Sequence, residues 1–207
     1  MPKQSRKEEV MQNVSVALIL MVLFTVLAYV RLAGLVYKSS VSGVKPNIAS
    51  WLPWLVVDGS VCFASIALGA ITASILFGVF TLGAAVIIAL VVKNGEIKLS
   101  TMDKVSLVLS AIAFVAWKLT SEPRMALYLN VFIAVMATIP TLRQALIDPK
   151  LEDGRVWLLF MAGGGANLFA IERWTMVDAF PAVVVFVLQI ALAYASNREE
   201  KWFRLER

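Results

Sequence analysis

Residues 49–92 form a run of 44 with no basic residue and a single acidic one, Asp58. A helix crosses a bilayer in about 20 apolar residues, so this run is two crossings long and must turn once within itself. Gly69 beside Ala70 offers the turn. Backbone N–H and C=O groups in lipid have to bond within their own segment or a closed sheet, so such a run points to helices. Composition agrees, with 60% hydrophobic and 16% charged residues and a mean hydropathy of +0.81. Ordinary soluble domains carry about a quarter charged residues. The sequence therefore predicts an integral membrane protein whose first partner is the lipid bilayer.

On the same ruler, seven spans are expected, at residues 14–37, 49–68, 70–92, 101–119, 123–145, 154–171 and 174–196. Lys93-Asn94-Gly95-Glu96 and Thr120-Ser121-Glu122-Pro123 punctuate the fourth with turn and helix-start chemistry. The apolar run after the charged N-terminal residues is longer than a signal peptide's and lacks a small-x-small cleavage site, so it reads as a retained first span.

A second copy of one unit is faintly visible. Residues 36–64 align with 139–167 when 103 is added, and Pro46 falls on Pro149, Trp54 on Trp157, Thr72 on Thr175 and Phe77 on Phe180. Seven identities over 67 positions is close to chance for two apolar stretches; the order of landmarks is what repeats. Each copy reads as span, hinge with proline, Trp-led span, turn, Thr-led span. The expected fold is all-α, with seven transmembrane helices as two parallel three-helix bundles joined by a linker helix, a 3+1+3 plan. The expected division is a tail at 1–13, a first bundle at 14–92, a linker with the fourth helix at 93–122, a second bundle at 123–196 and a basic tail at 197–207. Weak repeats in hydrophobic chains mark transporters, which bind solute between the repeats.

Seven spans put the termini on opposite sides. Six Lys and Arg residues then fall on the N-terminal side and twelve on the other, with Arg31 left within the first span. By the positive-inside rule the N-terminus lies outside and the C-terminus in the cytoplasm, and the retained first span suits a bacterial plasma membrane. The pI near 9.5 is accounted for by this asymmetry and implies no nucleic acid.

Charged groups at membrane depth are costly and point to function. Asp58 is the clearest. Arg31 and Asp58 lie roughly 10 and 15 Å from the same face at 1.5 Å per residue, so an intramembrane ion pair between them is expected. Trp51, Trp54 and Asp58 stand at i, i+3 and i+7, on one helical face. Two indoles above a carboxylate can stack a flat ligand and accept its protons; the alternative is an aromatic belt at the interface, and Trp157 and Trp174 carry the same alternative. Asn130, Asn167 and Gln189 are uncharged polar groups that either bind solute or bridge helices. The solute-binding residues expected are Trp51, Trp54, Asp58, Asn130, Trp157 and Asn167, with Pro140 and Pro181 as hinges within spans.

Several classes are excluded. With no histidine and one cysteine, Cys62, imidazole catalysis, an intramolecular disulfide and a zinc-type cluster are absent. Gly163-Gly164-Gly165 is followed by no Lys-Ser/Thr and reads as close helix packing, not a phosphate cradle. The seventh span has no lysine for a retinal Schiff base. No enzyme activity and no cofactor is expected.

The plan of three, one and three spans, with Pro140-Thr141 near the end of the fifth, resembles the SWEET, SemiSWEET and PQ-loop transporters, whose corresponding pair is Pro-Gln. Trp51-x-x-Trp54-x-x-x-Asp58 is similar to the W-x-x-W-x-x-x-N signature of PnuC-type vitamin transporters, with Asp58 in place of asparagine and the motif in the first half. The resemblance implies alternating-access transport of a small polar metabolite such as a sugar, nucleoside or vitamin, and leaves a homo-oligomer open. The alternative it carries is a non-transporting receptor or sorting protein on the same scaffold.

Overall fold

A computed structural model describes residues 3–67, 71–95, 97, 99–119, 123–171, 174 and 176–198. Among these residues every regular element is helical: α1 (Lys3–Tyr37), the single turn α2 (Ser39–Ser42), α3 (Ile48–Ala67), α4 (Ile71–Lys93), α5 (Thr101–Leu119), α6 (Pro123–Ile147), a 3-10 turn (Pro149–Leu151), α7 (Gly154–Phe169) and α8 (Met176–Asn197). The turn expected at Gly69-Ala70, the Thr120-Ser121-Glu122 segment and the tail from 199 onward lie outside the described residues. α1 starts well before the expected span, because the polar residues from Lys3 onward are mostly good helix formers and continue it outward.

Four helices are long and apolar enough to cross a membrane, through Val16–Tyr37, Leu76–Lys93, Tyr128–Ile147 and Ala179–Asn197. The apolar stretch of α3 is shorter, at Ile48–Phe63. α7 has 16 residues, and α5 carries Asp103, Lys104 and Lys118 towards its ends. Length and composition thus support four crossings where seven were expected.

Local sequence sets the helix ends. Ser100 and Asp103 form a capping box on α5: the Ser100 N–H donates to Asp103 Oδ2 at 2.7 Å and the Asp103 N–H to Ser100 Oγ at 3.2 Å. Asp153 caps α7 by accepting from the Val156 N–H at 3.0 Å. Gly43, at φ 74°, closes α2 in the left-handed conformation that glycine adopts without strain.

Six helices form a closed ring. α1 packs on α4, α4 on α3, α3 on α6, α6 on α8, α8 on α7, and α7 returns to α1. α5 stands outside, against α6 and α3. Its buried face is small or polar and its exposed face apolar. Asp103, Ser106, Ser110 and Ala113 are buried, while Val105, Val108, Ile112, Val115 and Leu119 are exposed. Small and hydroxyl side chains turned inward, with apolar ones turned out, invert the soluble arrangement. Exposed Ile19, Phe63 and Leu82 repeat that inversion on α1, α3 and α4.

The packed core occupies one end of the ring. It is built from Ala28, Leu32 and Val36 near the end of α1, Ile48 and Trp51 at the start of α3, Ala84, Ile87 and Val91 of α4, Val156, Trp157 and Phe160 opening α7, and Leu192 and Ala193 of α8. All belong to the end that carries the 38–47, 94–100 and 148–153 connections.

Pro140 marks the junction of three helices. A proline inside a helix lacks the N–H that would bond four residues back, here to the Met136 carbonyl. That carbonyl accepts instead from the Ser106 hydroxyl of α5. The next N–H, that of Thr141, donates to Ser50 Oγ of α3 at 3.1 Å, and the Thr141 hydroxyl donates to the same oxygen at 2.8 Å. Pro140, Ser50 and Thr141 are fully buried.

Candidate functional site

The ring encloses a cavity of about 240 Å³, lined from all six of its helices. α1 presents Met21, Thr25 and Tyr29 at four-residue spacing, the face period of a helix. Trp54 and Asp58 come from α3, Phe77 and Phe80 from α4, and Thr138 from α6. Trp157, Phe160 and Asn167 come from α7, and Pro181 and Gln189 from α8.

Close helix approach shapes the walls. A methyl group at Gly163 would meet the Thr25 hydroxyl at 3.2 Å and one at Gly83 the Tyr29 ring at 2.5 Å, while one at Gly164 would strike the Gln189 amide oxygen. The glycine triplet therefore serves packing, as its sequence context indicated.

Five aromatic rings close on one another at the core end of the cavity. Centroids are 6.0 Å apart for Tyr29 and Trp51, 5.2 Å for Trp51 and Trp54, and 6.2 Å for Trp54 and Trp157. Trp157 and Phe160 stand at 5.5 Å and Phe160 and Tyr29 at 5.1 Å. Most of these pairs are edge-on, the arrangement favoured by the ring quadrupole. Four of the rings line the cavity and the fifth, Trp51, supports them from the core.

Beneath this floor lies a polar layer. Arg31 donates from Nε to Asp153 Oδ1 at 2.8 Å and from the second guanidinium nitrogen to Oδ2 at 2.7 Å. Glu152 is buried, accepting from Trp157 Nε1 and from Gln144 Nε2, each at 3.1 Å. The Gln144 amide also donates to the Lys45 carbonyl at 2.6 Å, tying the two connections together. Burial pushes the Glu152 carboxyl up to about 8, although the hydrogen bonds from Trp157 and Gln144 oppose it. Asp153 goes the other way: burial raises it, but the Arg31 guanidinium and the backbone N–H groups opening α7 outweigh burial and hold it below its ordinary range.

The expected site residues divide accordingly. Trp54, Asp58, Trp157, Asn167 and Pro181, expected as a hinge, line one cavity. Trp51 is 2% exposed, in the core behind Trp54. Asn130 stands outside the lining with its side-chain oxygen buried and unpartnered among the described residues. Pro140 sits at the α3, α5 and α6 junction and not on the cavity. The expected ion pair of Arg31 with Asp58 is corrected: Arg31 pairs with Asp153. α1 packs chiefly on α4 and α7, which brings the capping residue of α7, not the middle of α3, to the guanidinium. Tyr29, Thr25 and Glu152 were not singled out from sequence. The four-residue spacing of Met21, Thr25 and Tyr29 was the one available signal for the first two. An Asp immediately before Gly154 was a cap signal for Asp153.

Comparison with protein-family models, with curated proteins and with solved structures finds no match to this chain.

Proposed function

We propose that the protein is a membrane transporter that moves a small polar metabolite by alternating access, with the solute held in the ring cavity. One observation carries the reading. A closed ring of six helices surrounds a cavity lined by every member, and a packed core fills the ring at one end. At about 240 Å³ the cavity is below the range of about 300–1,000 Å³ for drug-sized ligands, so the solute is small.

The order of helices round the ring supports the 3+1+3 plan of seven crossings. It runs α1, α4, α3 and then α6, α8, α7. In each set the third helix in sequence stands between the first two, the order that two copies of one three-helix unit would give, with α5 as the linker. On this reading α3, α5 and α7 also cross the bilayer. The charge asymmetry supports an outside N-terminus and a cytoplasmic core end. The likeness to SWEET and PnuC-type transporters rests on this plan and on the Trp51, Trp54 and Asp58 spacing; it is an analogy of fold.

The test is counterflow into proteoliposomes with labelled sugars, nucleosides, vitamins and amines, with Trp54→Ala beside the wild type. Exchange of one class, lost in the variant, is the expected result. Saturable binding without exchange would establish the receptor alternative, and neither binding nor exchange by folded protein would remove both.

A further inference from the structure

The charge within the cavity is unbalanced. Among the described residues Asp58 is the one ionisable acid or base on the wall apart from the Tyr29 phenol, and no lysine or arginine lines it. The cation expected to neutralise Asp58, Arg31, is bound through both nitrogen positions to Asp153. Among the described residues Asp58 receives neither a hydrogen bond nor an ion pair.

The hydroxyl groups do not supply donors either. Thr25 donates to the Met21 carbonyl at 2.8 Å, Thr138 to the Ala134 carbonyl at 2.8 Å and Tyr29 to the Phe80 carbonyl at 3.3 Å. Their hydrogens are spent on backbone, and what remains towards the cavity is oxygen lone pairs. The side-chain oxygen of Gln189 is also buried without a donor. Trp54, Trp157, Phe77, Phe80 and Phe160 line the cavity, and aromatic rings attract a cation through their quadrupole. The Asn167 and Gln189 amides can still donate, but no described cation faces Asp58, and an unpaired carboxylate among aromatic rings calls for a ligand that brings positive charge.

We infer that the cavity binds a small organic cation, an amine or ammonium compound whose charged head meets Asp58 and whose apolar body lies against the aromatic floor. This rests on the reading of the cavity as a solute site and names the class of solute. Asp58 supplies selectivity by charge; Trp54 and Trp157 supply contact area that does not distinguish charge.

The experiment is calorimetric titration of the purified full-length protein with 2-phenylethylammonium, tetramethylammonium and guanidinium, with neutral 2-phenylethanol as the isostere of the first. At least one cation is expected to bind, and 2-phenylethylammonium at least tenfold tighter than the alcohol. Asp58→Asn should remove that preference and Asp58→Glu should keep it. If Asp58→Asn does not fold, the glutamate variant and the isostere comparison still decide. Binding of the alcohol as tightly as the amine, no binding of any cation by folded wild type, or an unchanged preference in Asp58→Asn would overturn the inference. Counterflow of the same cations separates the two readings: cation binding without flux removes transport and leaves the cation site, and flux of neutral solutes alone does the reverse.

Discussion

Arg31 and Asp153, 122 positions apart, meet in a two-pronged pair that joins α1 to the first turn of α7. One carboxylate oxygen serves twice, accepting from Arg31 Nε and from the Val156 N–H that it caps. The pair lies under the aromatic floor, at the sealed end of the ring, and it withholds from Asp58 the counter-charge that sequence position suggested.

Because the pair is partly exposed, at 34% and 17% for the two side chains, solvent screening limits its energy. A double-mutant cycle with Arg31→Met and Asp153→Asn is expected to give a coupling of about 1 kcal/mol in thermal unfolding. Asp153→Ala should cost about 1 kcal/mol more than Asp153→Asn, because asparagine keeps the cap. Equal losses for alanine and asparagine would contradict the double role.

Glu152 gives a pH dependence of defined sign. Its carboxyl binds a proton more tightly folded than unfolded, rising from 4.5 to about 8. Its contribution to stability is therefore complete below the unfolded value and is lost as pH rises through the folded one. Unfolding followed from pH 5 to pH 8.5 should show wild-type stability falling by a few kcal/mol, with a distinctly flatter profile for Glu152→Gln. Parallel profiles would place the titration elsewhere.

The Pro140 junction predicts a reversal by background. Ser106→Ala leaves the part-buried Met136 carbonyl without a donor, a loss of about 1 kcal/mol or somewhat more. In Pro140→Ala the restored helical N–H can take that carbonyl, and Ser106→Ala should then cost much less. Additive losses in the double mutant would mean that the serine acts through something other than the proline's missing donor.

Tyr29 and Gly83 are matched by contact. Gly83→Ala puts a methyl group at 2.5 Å from the ring, so a cost of about 1–3 kcal/mol from overpacking is expected, recovered in large part by Tyr29→Leu. A tolerated Gly83→Ala would show that the ring has room to move.

The positions of the long helices were legible because hydrophobic runs of bilayer length need no tertiary information: α5 occupies residues 101–119 as expected, and α3 and α4 fall within two residues of theirs. Much of the cavity was legible for a related reason. Polar residues inside apolar runs, Asp58 and Asn167 among them, have few places to go except a helix interface or a cavity. The partner of Arg31 was not legible. Depth along a helix can be read from sequence, but which helices are neighbours is decided by packing round the whole ring. Trp51 and Trp54 illustrate the same limit. Three residues apart, they share a helical face, yet the ring turns one to the cavity and the other into the core. Nor does any local pattern connect Ser106 with a proline 34 positions later, since that contact exists only once α5 is laid against α6.

The most direct test of transport through a ring that opens at its sealed end is to lock that end. Cys62 is the chain's single cysteine, so Arg31→Cys and Asp153→Cys on a Cys62→Ser background give two thiols that a short bis-thiosulfonate reagent can bridge, reversibly. Counterflow of the solute exchanged by the unbridged protein should cease on bridging and return when the bridge is reduced. Undiminished exchange by fully bridged protein would contradict alternating access through this end of the ring.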